Sequence, residues 1–143
     1  MINRILKFVE KDKETTMRLE FALLCDYVDF TDRGLFNAYG AGIHALHCRK
    51  LPDARPIVLM MAIEYDPVED KGTHKIEIRI IDSDGKNIIK PDITDADFSS
   101  TVRFYGFDTK LYPTFEKYEL HSVEIMLDGN NIASIPLDII MEK

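Results

Sequence analysis

At 143 residues, 45% hydrophobic and 30% charged, the chain is long enough for one packed core and too apolar for wholesale disorder. Its formal net charge of −7, with no Lys/Arg cluster, disfavours nucleic acid and anionic membrane surfaces, because both bind through neutralised phosphates. Two cysteines, in no CxxC or Cys/His ligand spacing, leave no disulfide framework and suit free, buried thiols in a reducing cytoplasm.

Residues 1–16 set Ile2, Ile5, Leu6 and Val9 at helical spacing, which predicts a short amphipathic N-terminal helix. Lys7 and Glu10 break up the apolar residues, so this is no secretory signal, and no segment is long enough to span a bilayer. The expectation is a cytoplasmic protein without membrane insertion. Its compact domain would be residues 17–143, with residues 1–16 as an extension.

From Met17 onward the pattern has period two. Arg18 to Phe30 reads as one strand, with Leu19, Phe21, Leu23, Cys25 and Tyr27 on one face. Thr31-Asp32-Arg33-Gly34 supplies turn chemistry. Leu35 to His47 reads as a second strand, in which Gly40 and Gly42 mark close approach by another backbone. Ile57 to Tyr65 is apolar at nearly every position, as a central strand covered on both faces would be. His74 to Asp82 alternates cleanly, with Ile76, Ile78 and Ile80 inward, and a short strand is expected at Asn87 to Lys90.

Pro91 to Asp97 reads as an acidic loop and Phe98 to Phe107 as a strand. Phe115 to Leu127 changes its inward parity, predicting a bulge near His121-Ser122. Asp128-Gly129-Asn130 turns the chain into a last strand with Ala133, Ile135, Leu137 and Ile139 inward. Pro136 lacks an N–H and so predicts a sheet edge. Seven or eight strands at roughly ten-residue spacing indicate an all-β, two-sheet antiparallel sandwich, immunoglobulin-like or C2-like, with a closed barrel as the alternative.

The candidate chemistry is sparse. Cys25 and Asp26 are adjacent, but neighbours on a strand point to opposite faces and cannot form a dyad. A thiol on an apolar face is held neutral and inert. His44, His47, His74 and His121 match no zinc spacing, and no phosphate-binding glycine loop or nucleophile elbow occurs. No cofactor is expected, and no enzyme.

The acidic turns are the remaining feature. If each strand crosses the sandwich once, Thr31–Gly34, Asp66–Gly72, Pro91–Asp97 and Asp128–Asn130 share one end. Asp92, Asp95, Asp97, Asp66 and Asp70 are then candidate ligands for Ca²⁺, which takes several loop oxygens. Aspartate favours turns for its own hydrogen-bonding reasons, so the bland alternative is strong.

The stretches FALLCDYV, GLFNAYGAGIHAL, GTHKIEIRIIDSDGK and LDGNNIASIPLDI together resemble an uncharacterised bacterial family of small all-β proteins, known only as a domain of unknown function. The likeness covers about Met17 to Ile140. It implies a bacterial, cytoplasmic protein with a β-sandwich, and it implies no reaction, cofactor or catalytic residue. The expected role is a non-enzymatic protein-interaction or structural module, through a protein partner or self-association. The alternative is a calcium-dependent ligand-binding module.

Overall fold

The period-two pattern is realised as strands throughout, and no helix occurs among the described residues. The structure, a computed structural model, describes residues 7–8, 16–99 and 101–143. In chain order the strands are β1 (Lys7–Phe8), β2 (Arg18–Cys25), β3 (Tyr27–Phe30), β4 (Phe36–Tyr39), β5 (Ala45–Cys48) and β6 (Asp53–Ala54). They continue as β7 (Ile57–Glu64), β8 (Gly72–Ile81), β9 (Asp92–Phe98), β10 (Phe104–Leu111), β11 (Thr114–Phe115), β12 (Leu120–Leu127) and β13 (Asn130–Met141). The helix expected over residues 1–16 lies outside the described residues, except at Lys7–Phe8, which pair antiparallel with β13.

The largest sheet runs β9-β8-β12-β13, and the far edge of β13 is shared by β1 and, in parallel, by β5. A second sheet runs β10-β7-β2, while β3–β4 and β6–β11 form two small sheets of their own. The architecture is therefore all-β with several sheets, more elaborate than the simple two-sheet layout expected.

Inward residues of the two larger sheets merge in one buried cluster. Leu24, Leu59, Met61 and Ile63 meet Ile76, Ile78, Ile80, Ile125, Ile135 and Leu137, with Phe98 and Phe115 among them. Each such side chain contributes about 1.5–3 kcal/mol by leaving water. Ile57 to Ile63 are all buried, as a strand covered on both faces requires. The Asp128-Gly129 turn is also as expected: φ is +50° and +85°, and Leu127 pairs with Asn130, the two-residue geometry that suits strand twist.

Several expectations need correction. The strand Arg18–Phe30 is broken at Asp26 into β2 and β3, and Leu35–His47 is broken into β4 and β5. Between Leu19 and Phe21 the β2–β7 register slips, so Leu19 shares the main core with Ala22 and Leu24 rather than with Cys25. The acidic segment Pro91–Asp97 is not a loop: Asp92 to Phe98 pair with β8. The expected strand Phe98–Phe107 is divided between two, with Phe98 ending β9 and Phe104 to Phe107 opening β10, and Asn87–Lys90 makes one isolated bridge, Ile81 to Asn87.

The bulge lies not at His121-Ser122 but opposite Ile125/Met126, where Ile132 is extra on β13. His121, Val123, Ile125 and Leu127 keep one inward parity because β12 begins only at Leu120. Nor is β13 an edge strand. Pro136 is tolerated because it falls between Ser134, the end of the β1 pairing, and Asp138, where β5 begins to pair.

Candidate functional site

The β3–β4 hairpin does not extend either large sheet; it lies over the outer face of β10-β7-β2 as a third layer. Strand alternation sends Phe21, Leu23 and Cys25 of β2 and Val58 and Met60 of β7 to that outer face. There they meet Val28, Phe36 and Ala38 of the hairpin in a second, small core. Phe36 packs edge-on against Phe21, ring centroids 5.8 Å apart, and against Phe30 at 4.6 Å. Its ring tip also explains Gly106 of β10: a Cβ there would lie 3.0 Å from Phe36 Cζ.

This layer settles the Cys25–Asp26 pair. Cys25 is fully buried beneath the hairpin, and burial, aided by the Asp26 charge, raises its thiol pKa. Asp26 is exposed at the bend and pairs with no basic group among the described residues. Its N–H donates to Tyr39 O at 3.0 Å, and its carboxylate lies against Gly40. A Cβ on Gly40 would stand 2.8 Å from Asp26 Cγ, and φ there is +62°. The close approach at Gly40 is thus by a side chain, not by another backbone as expected, and a Cβ on Gly42 would meet nothing within 4 Å. The pair carries no nucleophile.

The hairpin's outward face is different. Tyr27 and Tyr39 pair directly across it with ring centroids 5.7 Å apart, and they remain 56% and 55% exposed. Asp29 and Asn37, the next outward pair, lie beside them. At the hairpin's other end Phe30 and Leu35 are exposed, as is Phe104, which shares the outer face of β10 with Gly106. A pair of large aromatic side chains left half in water is an uncommon surface feature among the described residues. The sequence held a weak signal: Tyr, Phe and Leu bracket the TDRG turn too densely for a solvated hairpin.

The acidic residues are dispersed rather than gathered. Asp66 and Asp70 do meet, in the β7–β8 turn. Asp66 Oδ1 accepts the N–H groups of Val68 and Glu69 at 2.8 and 2.9 Å, and these bonds lower its pKa. Asp70 is buried, and its Oδ2 accepts the Asp66 N–H at 2.8 Å and the Thr16 hydroxyl. Both carboxylates thus serve the turn itself.

Asp92, Asp95 and Asp97 lie along β9. From Asp92 to Asp97 the strand rises about 16 Å, too far for one cation's shell. Asp95 and Asp97 point outward opposite Lys75 and Thr73. Asp92 points inward, and Thr109 Oγ1 of β10 donates to it at 2.6 Å. Among the described residues no group of three His, Cys, Asp or Glu is placed to hold a metal.

One histidine in this region is tightly held. His74 packs at a tilt against Phe98, which in turn stacks on Tyr65. Its Nδ1 lies 2.6 Å from Asp128 Oδ2 and its Nε2 2.6 Å from Asp70 O. Burial would lower its pKa, but the hydrogen bonds and charges of Asp128 and Asp70 outweigh burial and raise it. Nothing in its spacing marked His74 out, because Asp128 is 54 residues away.

No curated protein matches the chain in sequence. Among solved structures it is similar to the CARDB domain of a Pyrococcus furiosus protein, solved in complex with di-metal ions. Identity is 12%, coverage is 92% of this chain and 100% of that one, and the TM-score is 0.43. Residues 20–140 match the model of a family of unknown function, DUF6941, and the chain belongs to that family.

Proposed function

We propose that the chain is a non-enzymatic interaction module, an immunoglobulin-like sandwich that binds a protein partner through the outward face of its β3–β4 hairpin. One observation carries the reading: Tyr27 and Tyr39 stand as a paired, half-exposed aromatic platform on the outward face of the hairpin. Tyrosine supplies large contact area at small entropic cost, and buried tyrosines recur among the residues that dominate binding energy. The hairpin is anchored from below by Phe36 and Val28, so the platform is presented rigidly. Sharing of one core by the two larger sheets supports the sandwich. The two free, buried cysteines suit a reducing cytoplasm.

The acidic turns favour no second reading, since Asp66, Asp70 and Asp92 are engaged by the chain's own donors. The test compares wild type with Y27S/Y39S, two exposed positions whose replacement leaves both cores intact. Wild type should retain a partner, or self-associate by light scattering, where the variant with unchanged Tm does not. Identical capture profiles and identical masses for the two proteins would refute the hairpin surface.

A further inference from the structure

At the seam between the two larger sheets, the segment entering β9 faces the segment leaving β10. Between them is a cleft of about 320 Å³, within the range that holds small ligands. Ile89, Pro91 and Leu111 give it an apolar lining, with Leu111 buried and Ile89 packed on the main core. Tyr112 adds an exposed aromatic ring.

The charged groups of the cleft are two lysines and one aspartate. Asp92 already accepts the Thr109 hydroxyl at 2.6 Å, a bond that ties β9 to β10 across the seam. Lys90 and Lys110 are exposed, and neither has a carboxylate within ion-pair distance among the described residues. Lys75, by contrast, has one in Glu77, and Lys117 has two in Asp82 and Asp84. Lys110 Nζ lies 5.8 Å from the centre of the Tyr112 ring, within cation–π range. In a chain of net charge −7, a cleft lined by two lysines and one aspartate carries the opposite sign.

We propose that this seam cleft binds a small organic anion. Its apolar body would lie on Ile89, Pro91 and Tyr112, and its carboxylate or phosphate would sit between Lys90 and Lys110. An apolar wall with a few converging polar groups is the usual make-up of a ligand pocket. The site is separate from the hairpin platform in residues and in chemistry, so it stands whether or not that platform binds protein.

The experiment is an amide chemical-shift titration of the full chain with 2-naphthoate, 2-naphthyl phosphate and the neutral 2-naphthamide. Either anion should move the amides of residues 89–92 and 110–112 saturably, with the amide probe at least about tenfold weaker because it forgoes both ammonium groups. Whichever anion binds more tightly assigns the headgroup. K90M/K110M, at exposed positions, should lose about tenfold in anion affinity, while Y27S/Y39S should bind as wild type. Equal binding of naphthamide, shifts confined to the hairpin, or no saturable shift with any probe would overturn the site.

Discussion

The His74 clamp gives the most direct test of the electrostatics. A neutral imidazole has one N–H, yet both ring nitrogens of His74 face acceptors at 2.6 Å, the Asp128 carboxylate and the Asp70 carbonyl. Only the imidazolium donates to both. Asp128 is held in place by a second bond, since its Oδ1 accepts the Lys75 N–H at 2.8 Å. The Asp70 carboxylate is the other charge that acts on the ring, and it too favours the protonated form. The His74 pKa is raised on folding, so protonation and folding favour each other. The stabilisation is present in full below the unfolded value of 6.5 and is lost as pH rises through the higher folded value.

A charge-assisted hydrogen bond contributes about 1.5–3 kcal/mol; partial exposure of Asp128 puts the loss here at about 1–2 kcal/mol. In a domain of this size that is a fall in Tm of about 3–8 °C. The assay is calorimetric unfolding of wild type and H74N between about pH 5.5 and 9, read as the difference between the two proteins, which cancels other titrating groups. The difference should be largest at the acid end and shrink toward the alkaline end. A difference that stays constant with pH, or an NMR titration placing His74 at or below its ordinary value, would refute the clamp.

Three further outcomes are expected. Gly106→Ala should cost about 1–3 kcal/mol in urea unfolding, because the methyl group meets Phe36 Cζ at 3.0 Å; an unchanged midpoint would mean that the hairpin layer is not packed there. Cys25 and Cys48 are buried with raised pKa values, so a disulfide reagent should label neither before unfolding, and rapid labelling of the native chain would contradict their burial. Millimolar Ca²⁺ should move Tm by no more than about 1 °C; a ligand at a hundred times its Kd adds about 2.7 kcal/mol, so a rise of several degrees would restore a cation site at the acidic turns.

Much of the fold was legible where the signal is local. Ile76, Ile78 and Ile80 alternate with polar residues and lie in the core, and the continuous apolar run at Ile57–Ile63 is the strand buried on both sides. The family likeness was legible in the stretch around Ile76 to Ile80 and in the first, second and last strand patterns. β9 was not, although Thr94, Ala96 and Phe98 alternate inward correctly, because Pro91 and the aspartates have the composition of a turn. Pairing with β8 overrides that preference by giving the backbone its hydrogen bonds. Likewise Pro136 reads as an edge until two separate strands divide the far side of β13 between them.

The sequence by itself determined the all-β class, the best-patterned strands, the Asp128-Gly129 turn and the inert setting of Cys25, because each depends on residues a few places apart. The tertiary structure alone decided that the hairpin forms a third layer with Tyr27 and Tyr39 outward, that Asp92 turns inward to Thr109, and that His74 meets Asp128. Those placements depend on register slips, such as the one after Leu19, and on contacts between distant segments. A slip of one residue exchanges the faces of a strand, so no local pattern can reveal which side chains finally meet.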